Sequence, residues 1–214
     1  MSYLQLIINP GSTSTKLALY DDDRKLVQKN IDHKREELLA YPRLQDQVPF
    51  RLGLIHEFLR ENNVHDGDLA AVIARGGLVF GLKTGGYEVN YELCEALTDP
   101  EFSQPHASNL GGLLAREIAQ EYNLPAYIYD AVTSGELSPV AQITGLAEVR
   151  RRSFCHVLNS RAQAIRYAAS LGIPVYCLPG RVSDMRHAGT NQLIIEGTAK
   201  MLPSLSEVSV RTLF

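Results

Sequence analysis

Between Asn9 and Lys16 the sequence reads Asn-Pro-Gly-Ser-Thr-Ser-Thr-Lys. An amide, a glycine, four consecutive hydroxyls and an ammonium fall within one short break between two apolar runs. Backbone N–H groups in a tight turn between strands can point together at an anion. Gly11 has no Cβ and leaves room for close approach. Ser12, Thr13, Ser14 and Thr15 add short hydroxyl donors without bulk, and Lys16 brings a positive charge. Asn9, at a strand end, suits the orientation of a water, a metal or a phosphate oxygen. Together this is chemistry for holding a phosphoryl group, although an ordinary Ser/Thr-rich hairpin uses the same residue types. It is not a Walker A loop: Gly-Ser-Thr-Ser-Thr-Lys lacks the second glycine before lysine and leads into a strand, not a helix.

Other residues carry chemistry at other places in the chain. Arg75 closes the apolar run Leu-Ala-Ala-Val-Ile-Ala, and its planar fork suits a carboxylate or a transferring phosphoryl group. A surface arginine is the alternative. His106 opens a helix, near backbone donors that stabilise negative charge. A neutral or charged ring there could donate to a planar transition state; a capping or packing role is the alternative. Asp130 ends Ala-Tyr-Ile-Tyr-Asp, where open α/β sheets place site residues, or it caps a helix. His156 and Asn159 lie one helical turn apart, and a core histidine accounts for the first equally well. Cys94, Cys155 and Cys177 are far apart, with no disulfide framework or zinc spacing. Cys94 and Cys155 read as buried, inert thiols, and the cysteine usage fits a reducing cytoplasm.

The elements that must position these residues are legible from periodicity. Residues 3–9, 15–21 and 25–32 read as an antiparallel meander. A helix is predicted over 49–63, with Leu52, Ile55 and Leu59 on one face beside Phe58. Residues 69–77 form a buried strand; 85–93 are extended and then helical. A helix over 106–122 is capped by Ser108 or Asn109, with Leu110, Leu114, Ile118 and Tyr122 on its stripe. Residues 125–130 are a strand, 151–172 a long helix, 174–180 a strand and 188–202 a last helix. Hairpins first and alternating helices and strands afterwards give an α/β fold with a mixed sheet. With 214 residues, 45% of them hydrophobic, the chain can bury a real core. Twenty-one basic against 24 acidic residues, a net charge of -3, give no basic excess for nucleic acid. The start has no basic region, and no run approaches a membrane span.

Several stretches in register resemble one family. Asn-Pro-Gly-Ser-Thr-Ser-Thr-Lys-Leu-Ala-Leu-Tyr resembles the first phosphate motif of the acetate and propionate kinases, of the ASKHA (actin-like/ribonuclease H-like) superfamily. Residues 74–77, 85–90, 106–112, 129–132 and 155–162 follow in the order and spacing of butyrate kinases. The resemblance spans about residues 3–168. It implies an ASKHA N-terminal domain and a phosphoryl transfer between ATP and butyrate, or a short branched carboxylate, with Mg²⁺. Catalytic roles would fall to Arg75, His106 and Asp130. The phosphate site would be Asn9, Gly11, Ser12, Thr13, Ser14 and Lys16, with Asn9 and Asp130 toward metal. Gly76, Gly77, Asn109, His156 and Asn159 would touch substrate or stand behind it. Dimers are common in this family, so a homo-oligomer is an open expectation.

From about Ala168 this pattern ends. Residues 172–202 resemble instead the C-terminal end of the DNA-processing A family, whose strand, loop and helix belong to a Rossmann-like domain. The expected organisation is 1–168 as the kinase-like domain and 169–214 as an α/β tail, with the second ASKHA domain missing. The predicted helix over this seam keeps its period through Ala162, Ile165 and Ala169. Two other readings follow: a phosphate- or nucleotide-binding fragment without turnover, and a single-stranded DNA binder through the tail. The charge balance argues against nucleic acid.

Overall fold

The computed structural model describes residues 3–134, 137, 139–152, 157–173, 181–187 and 190–196, the side chains of 157–162 and of the last two segments excepted. The chain divides into two compact units, Met1–Ser153 and Phe154–Phe214.

The first unit is built on a six-stranded sheet. Strands β1 (Leu4–Pro10), β2 (Ser14–Asp21) and β3 (Arg24–Asp32) form the expected antiparallel meander. Strand β4 (Leu69–Arg75) adds parallel to β1, and β6 (Ala126–Tyr129) parallel to β4; the short β5 (Gly86–Glu88) lies antiparallel on the far edge. The order is β3-β2-β1-β4-β6-β5. The strands alternate, as a half-buried sheet requires. Leu6, Ile8, Leu17, Leu19, Val72, Ala74, Ala126 and Ile128 are buried in a single core.

That face is covered by α2 (Val48–Glu61) and α4 (Leu110–Tyr122), which bring Ile55, Phe58, Leu59, Leu110, Leu114 and Ile118 into the same core. Leu52 and Tyr122 complete the predicted stripes as half-buried flanks. Asn123 ends α4 in the left-handed region, at φ 51, with its N–H on Ala119 O. Two shorter helices, α1 (Arg35–Leu39) and α3 (Tyr91–Thr98), complete this unit; α1 carries no legible amphipathic period.

In the second unit α5 (Val157–Ser170) takes up most of the predicted long helix, and the expected domain boundary at 168 falls inside it. Its face differs from the expected one: Ala164 and Ala168 are buried, whereas Ile165 is 52% exposed. The tail also departs from expectation. Strands β7 (Arg181–His187) and β8 (Thr190–Glu196) pair as an antiparallel hairpin, so residues 190–196 are not the first turns of a helix. Ile194 and Ile195 are β-branched and favour an extended chain when a partner strand lies alongside. The strand over 174–180 lies outside the described residues.

Candidate functional site

The parallel strands β1, β4 and β6 end at one edge of the sheet, and Asn9, Lys16, Arg75 and Asp130 of the residues marked in the sequence lie at or just beyond their ends. Asn9 pairs with Lys16 across β1 and β2. Ile7 pairs with Ile73 across β1 and β4, so two residues further on Asn9 stands level with Arg75. Arg75 in turn pairs with Tyr129. Alternation sets Lys16, Asn9, Arg75 and Tyr129 in one row on the face opposite Ile8, Ala74 and Leu17. Two cations therefore flank one amide at the carboxyl ends of the strands.

Close backbone contacts bring the other segments to this edge. A Cβ added at Gly76 would lie 2.7 Å from both Cα and N of Ala131, the residue after Asp130. One added at Gly77 would lie 2.6 Å from Asn109 Oδ1, and one at Gly111 2.8 Å from Arg75 O and 3.6 Å from Pro10 Cδ. The start of α4, the positive end of the helix dipole, is thus pressed onto the ends of β1 and β4.

The turn itself is held from inside. Gly11 N–H donates to Ser14 O at 2.7 Å, and Ser12 and Thr13 stand exposed at the tip. Gly11 does not have a positive φ, and a Cβ there would meet Ser14 at an ordinary 3.4 Å, so the turn geometry alone does not demand glycine. Beneath it Arg51, from α2, donates to Gly11 O (2.9 Å), Ser14 O (3.1 Å) and Thr15 Oγ1 (2.9 Å). Thr15 Oγ1, which accepts from Arg51, also lies in hydrogen-bonding contact with His33 Nε2, 2.8 Å away. Burial, and then the Arg51 charge, lower the His33 pKa below its ordinary 6.5.

Asp130 is buried, 2% exposed, and lies in the left-handed region at φ 45. It does not cap a helix. Its Oδ1 accepts from Gly85 N–H at 2.7 Å, and its own N–H donates to Gly85 O at 3.0 Å. Strained backbone of this kind persists where surrounding contacts over-determine it, and it clusters at functional sites.

His106 precedes a 3-10 turn (Ala107–Asn109), and it, rather than Ser108 or Asn109, caps the helix start. Its Nδ1 accepts from Ser108 N–H at 3.2 Å and lies 2.7 Å from Ser108 Oγ. An acceptor Nδ1 leaves the proton on Nε2, so the ring is a neutral donor. Desolvation, followed by the Arg75 charge, lowers its pKa in the same sense. Burial also lowers the Arg75 pKa, and raises that of the half-buried Cys94 thiol as an inert thiol requires.

Asn109 has turned inward. Its Oδ1 accepts from Leu78 N–H (2.8 Å), and its amide donates to Leu97 O (3.0 Å) and Gln104 O (2.9 Å). Both amide hydrogens are used by the protein. His156 lies outside the described residues; Asn159 is on α5 in the second unit.

Sequence reasoning did not mark Arg51, Gln47 or His33. For Arg51 a signal existed. It sits four residues before Ile55 and eight before Leu59, on the stripe that faces the core, where an arginine needs a reason. Among the described residues no cluster of three or more His, Cys, Asp or Glu side chains could hold a metal, and no helix is long and apolar enough to cross a membrane.

No family model matches the chain. It is 46% identical over 170 residues to butyrate kinase 1 of Clostridium acetobutylicum, covering 79% of this chain and 48% of that protein. It is 41% identical over 172 residues to a probable butyrate kinase of Clostridium botulinum, strain Eklund 17B, covering 80% and 48%. The chain therefore spans about half the length of the curated relatives it matches. Among solved structures, acetate kinase of Porphyromonas gingivalis superposes with a TM-score of 0.58 at 16% identity, over 91% of this chain and 55% of that one. A propionate kinase of Francisella tularensis subsp. tularensis SCHU S4 gives 0.52 at 15%, over 80% and 50%. At such identities these show the fold alone, the ASKHA-type mixed sheet with its helices.

Proposed function

We propose that this chain, whose 170 matched residues belong to the butyrate kinase family, carries the phosphate-turn side of a carboxylate kinase site. The reaction is phosphoryl transfer between ATP and butyrate, or a short branched carboxylate, to give an acyl phosphate in the cytoplasm. The observation that carries this reading is the row Lys16, Asn9, Arg75 at one strand edge, with Asp130 next to Ala131, whose backbone abuts Gly76, and the α4 start pressed against Arg75 O.

A carboxylate oxygen attacks the γ-phosphorus in line; the new O–P bond forms as the bond to the β,γ-bridging oxygen breaks, and ADP leaves. Such transfers ask for positioning and charge neutralisation more than covalent chemistry. Arg75 and Lys16 balance the three equatorial oxygens, and the neutral His106 donates from Nε2 to one of them. The turn amides and hydroxyls of Ser12, Thr13 and Ser14, with room at Gly11, receive phosphate oxygens; Gly76 and Gly77 let the segments meet. Mg²⁺ prefers few carboxylates with waters and phosphate oxygens. The hard oxygen donors of a buried Asp130 and Asn9 fit that preference. When held by Asp130 and Asn9, the ion would offset the negative charge of the phosphates.

An NMR titration with inorganic phosphate, ADP and butyrate tests the site. Shifts are expected at Ser12–Ser14, Arg75 and Asp130; a chain whose turn amides ignore both phosphate and ADP overturns the reading. Trapping butyryl phosphate as its hydroxamate measures turnover, expected to be little or none for this chain alone. That result, with binding retained, identifies a phosphate-binding fragment.

A further inference from the structure

Arg51 is fully buried, and every acceptor it reaches is neutral. Besides Gly11 O, Ser14 O and Thr15 Oγ1, its Nε and Nη2 both donate to Gln47 Oε1, at 3.2 and 2.9 Å. Five bonds use the five N–H donors of the guanidinium. A buried cation normally has a carboxylate beside it, since an uncompensated charge in the interior is costly. Here the forked acceptor position is occupied by an amide, that of Gln47, which is also buried. Burial brings the Arg51 pKa down to about 10, which leaves it cationic at neutral pH.

The same contacts fix which way the turn faces. Arg51 holds the carbonyls of Gly11 and Ser14, and His33 N–H holds that of Thr13 at 2.8 Å. Three carbonyls that would repel an anion are thus drawn onto donors of the protein, while Ser12 and Thr13 face solvent.

We propose that Arg51 is the positioning residue of the phosphate turn, and that a bound phosphoryl group is the counter-charge this buried guanidinium lacks among the described residues. The inference rests on the phosphate-site reading above and adds to it a cation that never touches the ligand. Its field acts through protein, where charge is screened far less than in water.

Gln47→Glu separates field from shape. The glutamate keeps the forked acceptor and adds the missing negative charge. Affinity for inorganic phosphate and for ADP, measured by titration of the 214-residue chain, is expected to fall about tenfold or more. The exposed Gln28→Glu, with the same change in net charge, is expected to change it less than about twofold. Independently of any variant, the Arg51 Nε–H resonance of the wild-type chain is expected to follow the phosphate titration with the same Kd as the Ser12–Ser14 amides. Wild-type affinity in Gln47→Glu, or an Nε–H resonance indifferent to phosphate, reduces Arg51 to a structural brace and overturns the proposal while leaving the phosphate site standing. A wild-type chain that binds neither phosphate nor ADP removes both.

Discussion

Asn109 offers the sharpest test of how the site edge is assembled. Its side chain joins three segments: Leu78 N–H after β4, Leu97 O at the end of α3, and Gln104 O before the α4 cap. Leu78 and Leu97 are buried, whereas Gln104 is exposed and its carbonyl can be rehydrated. Asn109→Ala therefore strands two buried polar groups. At roughly 1–3 kcal/mol for each unsatisfied group, a loss of about 3 kcal/mol is expected. Asn109→Asp keeps the shape and the acceptor for Leu78 N–H but turns an anion toward two carbonyls. It is expected to cost at least as much at pH 7. The penalty should shrink as the pH falls, because the buried carboxyl has a folded pKa above its unfolded value of roughly 4 and regains a donor on protonation. Urea denaturation followed by far-UV circular dichroism gives the stabilities, and amide exchange at Leu78 gives the local effect: faster in the alanine variant, protected in the aspartate variant at low pH. An alanine variant within about 0.5 kcal/mol of wild type, the range of neutral surface changes, or an aspartate variant equal to wild type at pH 7, refutes the reasoning.

Gly76→Ala places a Cβ 2.7 Å from backbone atoms of Ala131, which cannot rotate away. A loss of about 1–3 kcal/mol is expected from overpacking, together with weaker phosphate binding as the ends of β4 and β6 part; an unchanged urea midpoint contradicts the packing described. His33 carries a pH signature. Burial and the Arg51 charge lower its folded pKa below 6.5, so its contribution to stability is fully present above about 6.5 and is lost as the pH falls from there toward the folded value. Between pH 7.5 and 5 wild type should therefore lose more stability than His33→Gln; parallel profiles exclude His33 as a source.

Much of the sheet was legible because its strands alternate and its turns are marked by chemistry. The meander, β4, β6 and the stripes of α2 and α4 follow from period alone, and Arg75 and Asp130 could be placed at strand ends by the same argument. What periodicity cannot supply is the partner of a residue. Asn109 reads as a cap or a substrate contact because Ser and Asn before an apolar run usually cap; only the three-dimensional neighbours reveal that His106 caps and Asn109 braces. Arg51 was hidden for the converse reason: one polar residue on an apolar stripe is outvoted by its neighbours. In the tail, Leu193, Ile194 and Ile195 form an apolar run too short for period to decide between helix and strand, and pairing with β7 decides it.

The register that buries the core also assembles the site. Side chains on a strand alternate with period two, so a slip of one residue exchanges the faces. Ile8, Ala74 and Leu17 are buried under the helices, and that burial holds β1, β2 and β4 in step. The neighbours Asn9, Arg75 and Lys16 are thereby carried to the opposite face in a single row. A slip of β1 against β4 would drive Asn9 or Arg75 into the core without a partner, at the full cost of burying a polar or charged group. Stability and site geometry are therefore one constraint here. A substitution that loosens the Ile8–Ala74–Leu17 layer is expected to weaken phosphate binding before it unfolds the sheet, since the row of cations depends on the step between strands and the core survives small repacking.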